Sequence, residues 1–282
     1  MEHLNDPENG APRDFEALRN QVMSAYGQMP KRLAQAARYA ISHPDEIALG
    51  TAASIAGASG VQPSTLVRLA RHLGYDGFSD LQSVFRDRLR YRASSYEERL
   101  DKIDRAVPAS DRDSELLHGF INAARQSVDG LGERLDGASF AAAVAALARA
   151  ETIYLLARRR AYPIAAHMAY AFGKLKIVAH ILDTPNTIDA ELAEMAGPRD
   201  AVIACSFAPY TANTIDLATA MARRGTCIVA ITDSAFSPLA RIASHLLEVS
   251  ENDFAGFRSL SASMALAAAL PVAIAEQRRL KK

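Results

Sequence analysis

From Phe15 to about Tyr91, apolar residues recur every three or four positions, as at Leu33, Ala37, Ala40 and Ile41, and the pattern breaks at His43-Pro44. That period predicts an all-helical unit. Within it, residues 60–78, GVQPSTLVRLARHLGYDGF, set Leu66, Leu69, Ala70 and Leu73 on one flank of a helix opening on Pro63 and stopping at Gly74. Ser64, Thr65, Arg68 and Arg71 occupy the other flank, so one face is built for burial and one carries positive charge. Beyond Gly137 the pattern changes. The runs TIYLLA (152–157), KIVAHIL (176–182), AVIACSF (201–207), TCIVAIT (226–232) and HLLEV (245–249) alternate with helical stretches. Near-continuous apolar strands with crossover helices predict a five-stranded parallel, doubly wound α/β sheet covered on both faces. The alanine-rich run at 259–280 is expected to kink at Pro271, and to pack against a second subunit as well as its own sheet.

The fold class expected is therefore a two-domain α plus α/β chain. Residues 1–12, polar and without apolar period, predict a disordered tail. Residues 13–91 form the helical domain, the charge-dense segment 92–113 around Pro108 a linker, and 114–282 the α/β domain, led by a helix over about 114–131. With 282 residues, 49% of them apolar, the chain is long enough for two cores. No run has membrane-spanning length and apolarity, and the N-terminus lacks the basic-then-apolar order of a signal peptide, so a cytoplasmic protein with no membrane partner is expected. Cys205 and Cys227 each lie in an apolar run, which favours reduced core thiols over a disulfide or metal site; no metal or cofactor is expected. Net charge is zero, but residues 13–92 hold 11 basic against 7 acidic side chains, while 93–282 hold 21 against 22. The basic excess sits with the helical unit, as contact with an acidic partner requires.

Local chemistry sharpens that reading. Thr51 can cap a helix over 52–58, Ser59-Gly60 makes a turn, and Pro63 takes the first position of the next helix, where its missing N–H costs nothing. Ala56, Gly60 and Leu66 have the spacing of a helix-turn-helix, in which two steeply crossing helices need a small residue and a permissive turn. In that geometry Gln62, Ser64, Thr65 and Arg68 reach DNA base edges or nearby phosphates, and Arg71 is placed for the backbone. The alternative is a helical hairpin with a solvated polar face.

The segment resembles the DNA-binding domain of the RpiR-type bacterial transcription regulators. Gly60, Val61, Thr65, Arg68, Leu69, Leu73, Gly74, Tyr75, Gly77, Phe78 and Leu81 fall on that family's pattern, as does HPDEIA at 43–48, while Gln62 stands where serine is usual. The family joins this domain to a sugar isomerase (SIS) domain, a five-stranded parallel sheet of flavodoxin-like order. Residues 137–282 are similar to it, VIACSFAPYT and VAITDSAFSPLA carrying the likeness. For the strand order 2-1-3-4-5 that the resemblance implies, ligands settle at the carboxyl ends of strands 1 and 3. Strand 1 ends in Arg158-Arg159-Arg160-Ala161-Tyr162, and strand 3 in Ser206-Phe207-Ala208-Pro209-Tyr210-Thr211. Ser206, Thr211 and Thr214 surround a helix N-terminus whose free N–H groups favour an anion, Arg158, Arg159 and Arg160 add cationic forks, and Tyr162 and Tyr210 complete the expected ligand set. A run of solvated surface arginines is the alternative. The usual G-x-G-x-S after strand 1 is absent, which predicts an anion site made by side chains, Arg159, Arg160 and Tyr210 among them, in place of backbone contacts.

These features imply a sequence-specific DNA-binding regulator whose SIS domain senses a small anionic metabolite, a phosphosugar or related compound. Its expected partners are a palindromic double-stranded operator and further copies of itself, as a dimer or tetramer. No catalytic residue is assigned. The competing reading is a sugar-phosphate isomerase or lyase with a helical appendage; it needs a general base, for which Glu191, Glu251, His167 and His180 are available, His180 being read as a satisfied core or half-buried residue within its strand. A scaffold binding neither DNA nor ligand is the third.

Overall fold

The computed structural model describes residues 11–93, 112–182 and 188–280, together with residues 97, 100 and 103. The chain divides into two compact units, Met1–Ile103 and Asp104–Lys282. Most of the tail expected at 1–12 and of the linker expected at 92–113 lies outside the described residues.

The first unit is helical: α1 (Phe15–Ala25), α2 (Lys31–Ser42), α3 (Pro44–Leu49), α4 (Ala52–Ser59), α5 (Pro63–His72) and α6 (Phe78–Ala93). The break at His43-Pro44 separates α2 from α3, since proline at a helix's first position cannot continue the preceding one. Leu66, Leu69 and Ala70 of α5 enter a core shared with Ile55 of α4 and with Leu81, Val84 and Phe85 of α6. Gln82 of α6 is one of the buried polar residues of this unit. Its Nε2 donates to the carbonyls of Ile47 and Gly50, both at 2.8 Å, satisfying the orphan end of α3.

Between α4 and α5 the chain turns as its residues require. The Thr51 hydroxyl accepts from the Ser54 N–H and the Ser54 hydroxyl from the Thr51 N–H, a reciprocal cap on α4. Gly60 ends α4 at φ +69°, ψ +32°, and Gln35 of α2 holds the turn by donating to the Ser59 carbonyl at 2.8 Å. A Cβ at Gly60 would meet the Gln35 amide at 3.0 Å in a backbone region that disfavours side chains. Gly60→Ala is therefore expected to cost the helical unit about 1–2 kcal/mol, read as a lower midpoint in thermal unfolding followed by circular dichroism; an unchanged midpoint would count against this turn.

The second unit opens on α7 (Arg112–Arg134) and α8 (Gly137–Arg149). Asp136 caps α8, accepting from the Ser139 N–H at 2.9 Å, and the hydrogen bonds from Ser139 and Ala138 hold its carboxyl below the usual range. Five parallel strands follow, β1 (Ile153–Ala157), β2 (Ala179–Ile181), β3 (Ala201–Cys205), β4 (Cys227–Thr232) and β5 (His245–Glu248), in the order β2-β1-β3-β4-β5. The sheet is wound on both sides by α9 (Tyr162–Lys174), α10 (Asp189–Met195), α11 (Ala212–Arg223) and α12 (Ser261–Arg279). Ile153, Leu155 and Ala157 point to the core made with α8, α9 and α12, whereas Tyr154 and Leu156 point to the one made with α10 and α11. That alternation within an uninterrupted apolar strand is the signature of a sheet buried on both faces.

The sequence reading departs from the fold in three places. β2 is shorter than the run 176–182, because Lys176 takes φ +57° and keeps its end of the run out of the ladder. His180, expected to be core or half-buried, is exposed on this edge strand, its ring 6.0 Å from that of Tyr154. A second, antiparallel pair, β6 (Asp253–Phe254) and β7 (Phe257–Arg258), was not foreseen. Its turn places Ala255 at φ +50° and Gly256 at φ +90°, the two positive values a two-residue hairpin turn requires. Both cysteines carry free thiols, and burial pushes that of Cys205 up to about 12. Pro271 lies buried inside α12, which packs on α7, α8 and α9 of the same chain. Among the described residues, no helix is long and apolar enough to cross a membrane.

Candidate functional site

Two surfaces collect the residues singled out from sequence. On α5 and its lead-in, Gln62, Ser64, Arg68 and Arg71 are exposed along one face, opposite the buried Leu66, Leu69 and Ala70. Thr65 departs from expectation. It retains only 8% exposure and lies on the buried side of the first turn, so its hydroxyl is not part of the outward face. Arg32, at the start of α2, joins the surface instead, donating to the Gly60 carbonyl at 3.3 Å and to Gln35 Oε1 at 3.0 Å. The spacing within 60–78 could not reveal a cation thirty residues upstream; α2 brings it there by holding the turn.

In the second unit, Ala157 of β1 and Cys205 of β3 are register partners at the carboxyl end of the sheet. The chains leaving them form a pocket of about 210 Å³, lined by Arg158, Arg159, Arg160 and Ala161 on one side and by Ser206, Phe207, Ala208, Pro209 and Thr211 on the other. This is the switch point, where connections depart to opposite faces and leave a crevice. Three arginines thus reach one cavity, but each in a different state.

Arg158 donates to the carboxylate of Asp189, at the start of α10, at 2.5 Å, and the pair's side chains retain 24% and 7% exposure. Arg159 is exposed and adopts φ +56°, the left-handed region that L-residues visit at a cost. The backbone at this position keeps a glycine-like conformation although the glycine is gone. Arg160 stands over the Phe207 ring, its guanidinium carbon 5.7 Å from the centroid. Burial lowers its pKa and the nearby Arg258 lowers it further, while Asp233 and Glu251 oppose them.

The facing loop has little backbone left for a ligand. The N–H of Ser206 donates to the Ile231 carbonyl, that of Ala208 to Asp233 at 3.0 Å, and that of Thr211 to the Ser206 hydroxyl at 3.3 Å, while Pro209 has none. An anion entering here meets guanidinium groups on one side and, on the other, a loop whose Ser206, Ala208 and Thr211 amides are already engaged. Tyr162 and Tyr210 do not line the pocket, and Thr214 lies wholly buried in the first turn of α11. Its burial removes it from the ligand set. Its hydroxyl has no hydrogen-bond partner among the described residues, and leaving such a group unpaired costs about 1–3 kcal/mol. Thr214→Val, close in shape and without the hydroxyl, is expected to raise the unfolding midpoint of the second unit; a fall of the midpoint would show that the hydroxyl is satisfied in solution.

Sequence reasoning missed Arg258. It lies in β7, outside the residues that line the pocket, and donates at 2.9 Å to the carbonyl of Ala208, which is part of the pocket wall. The signal was present in DFAGFR at 253–258, an X-Gly pair between aromatic residues that favours a tight hairpin. Of the four acids and imidazoles considered as bases, Glu251 is the one felt by Arg160; its Oε1 accepts from the Ser263 N–H at 2.7 Å, and its Oε2 is buried without a hydrogen-bond partner among the described residues.

A helical unit exposing a basic helix after a glycine turn, followed by a doubly wound sheet with a cationic pocket at its switch point, defines a helix-turn-helix domain joined to an SIS-type domain. Residues 17–91 match the model of the helix-turn-helix domain of the rpiR family, and residues 146–273 match that of the SIS domain. The chain thus carries an rpiR-family helix-turn-helix domain followed by an SIS domain. Among solved structures it is similar to the sugar isomerase domain of the RpiR transcription factor from Sphaerobacter thermophilus, with 22% identity, a TM-score of 0.56, and coverage of 59% of this chain and 93% of that one. It is also similar to the Vibrio vulnificus NanR protein complexed with ManNAc-6P, with 19% identity, a TM-score of 0.56 and coverage of 93% of both chains. At such identities the likeness speaks for the fold. No curated protein matches the chain.

Proposed function

We propose that this protein is a cytoplasmic transcription regulator that binds double-stranded DNA through α5 and senses a small anionic metabolite in the pocket between β1 and β3. The observation that carries the reading is the division of α5: Leu66, Leu69 and Ala70 are buried while Gln62, Ser64, Arg68 and Arg71 stay exposed, inside a segment of the rpiR helix-turn-helix family. An exposed fork of donors at the start of a helix suits guanine edges in a major groove, and the cations behind it suit phosphates. Arg32 adds a phosphate contact beside the turn. Self-association would present two such helices to half-sites about 34 Å apart, which calls for a palindromic operator. The sensing half rests on Arg159 and Arg160, and on a solved relative whose name records a bound sugar phosphate, ManNAc-6P.

The test is direct. The full-length chain is titrated against the DNA upstream of its own gene and against random duplex at the same salt; a preference supports the reading, and equal affinities would remove it. An isomerase has one observation in its favour, the unpartnered carboxylate oxygen of Glu251. Turnover of sugar phosphates abolished by Glu251→Gln would transfer the second domain to that class.

A further inference from the structure

The β6–β7 hairpin touches both the pocket and the helix that opens the second unit. On the pocket side, Arg258 donates to the carbonyl of Ala208, and Arg160 lies over the ring of Phe207, the residue before it. The two guanidinium groups therefore come to the same short stretch of the loop after β3. They are close enough for Arg258 to oppose protonation of Arg160, after burial the largest influence on that group. Like charges held together in a half-buried place are costly, and an anion between them converts the repulsion into two charge-assisted contacts. The loop's own amides are mostly spent, so these side chains supply what the backbone does not.

On its other side the hairpin rests on α7. The rings of Phe254 and Phe257 meet that of Phe120 edge-on, at 5.5 and 6.2 Å. Just before the hairpin, the Asn252 N–H donates to the Ser127 hydroxyl at 2.9 Å, and the Asn252 side chain donates to Gln126 at the same distance. At Gly119 α7 and the Phe254 ring approach closely, since a Cβ there would fall 2.4 Å from the ring. Shape and hydrogen bonds thus fix the hairpin to this helix, and movement of one is felt by the other.

We propose that the β6–β7 hairpin is the ligand-reading element of this protein: Arg258 closes with Arg160 on the oxyanion group of the metabolite, and Phe254, Phe257 and Asn252 pass occupancy to α7. This rests on the pocket reading above and adds to it a residue and a route. The ligand class is a small metabolite bearing a phosphate or carboxylate group, recognised by two arginine forks. A ligand can shift the hairpin only by as much as its contacts differ between the two hairpin positions, and Arg258 supplies that difference.

The full-length chain is followed by thermal unfolding in inorganic phosphate, in succinate and in chloride at matched ionic strength, and by amide hydrogen exchange of 117–128. In wild type, phosphate or succinate is expected to raise the midpoint above chloride and to slow exchange in α7, and the more effective anion identifies the group. Arg258→Ala is expected to lose both effects, each measured against its own midpoint and exchange in chloride, and Arg258→Lys to keep a weakened response. If Arg258→Ala unfolds, the comparison passes to Arg258→Gln. A response lost in Arg160→Ala but intact in the Arg258 variants would overturn the proposal and leave the pocket standing. Stabilisation of wild type without any change in α7 exchange would overturn it as well. No response of wild type to either anion would remove the pocket reading together with it.

Discussion

Arg68→Ala should weaken binding of the full-length chain to its specific DNA site by about 1–3 kcal/mol, a loss of roughly 5- to 150-fold. The magnitude follows from what an exposed guanidinium at this place can do. Arg68 lies one turn into α5, on the face away from Leu66, Leu69 and Ala70, where a helix entering the major groove presents its side chains to base edges. A bidentate grip on guanine is specific, so the loss appears on the operator and is small on random duplex. Arg71→Ala differs in kind. Placed one turn later, it contacts phosphate, and its removal weakens operator and random DNA alike while reducing the salt slope of binding by about one. Fluorescence anisotropy at several salt concentrations separates the two. Thr65→Val supplies the control: Thr65 is buried, so affinity should hold provided the unit stays folded. Loss of affinity in Thr65→Val as large as in Arg68→Ala would mean that α5 meets DNA by another face.

The sequence made the architecture legible because each element's period agreed with its surroundings. The capped turn at Thr51 to Gly60 and the proline opening α5 were readable since their chemistry is local: a hydroxyl three residues from the N–H it accepts, a glycine where φ is positive, a proline where no donor is needed. The five strands were readable as apolar runs, and their order followed from the family resemblance. What stayed hidden depends on contacts distant in sequence. Thr65 shares the polar flank in projection, yet the folded unit leaves it only 8% exposed. Thr214 sits beside the predicted anion site but turns inward from the first turn of α11. Arg258 is separated from Ala208 by fifty residues, and only the hairpin turn at Ala255-Gly256 brings it back to the pocket. In the sequence, Arg158-Arg159-Arg160 is a run of three cations of which Arg159 and Arg160 are the expected anion contacts; the fold gives the three different surroundings, because successive residues leaving a strand face different neighbours.

That division of labour has a measurable consequence. Arg158→Ala leaves the Asp189 carboxylate, only 7% exposed, without the guanidinium 2.5 Å away. Losing one member of a largely buried ion pair costs up to about 3 kcal/mol, which in a domain of this size lowers the midpoint by up to about 6–12 °C. Removing both charges at once, with Arg158→Met and Asp189→Leu, should recover much of that loss, because no charge is then left unpaired. Arg159→Gly acts in the opposite direction: glycine accepts φ +56° freely, and the relief of strain offsets its greater entropy when unfolded, so stability is held or improved. Arg160→Ala falls between, losing the contact with Phe207 but also the repulsion from Arg258. Scanning calorimetry of the single variants and the double one ranks them in a single series. Equal midpoints for Arg158→Ala, Arg159→Ala and Arg160→Ala would speak for three interchangeable cations; a large loss confined to Arg158, rescued in the double variant, assigns that residue to the fold and leaves anion binding to its neighbours.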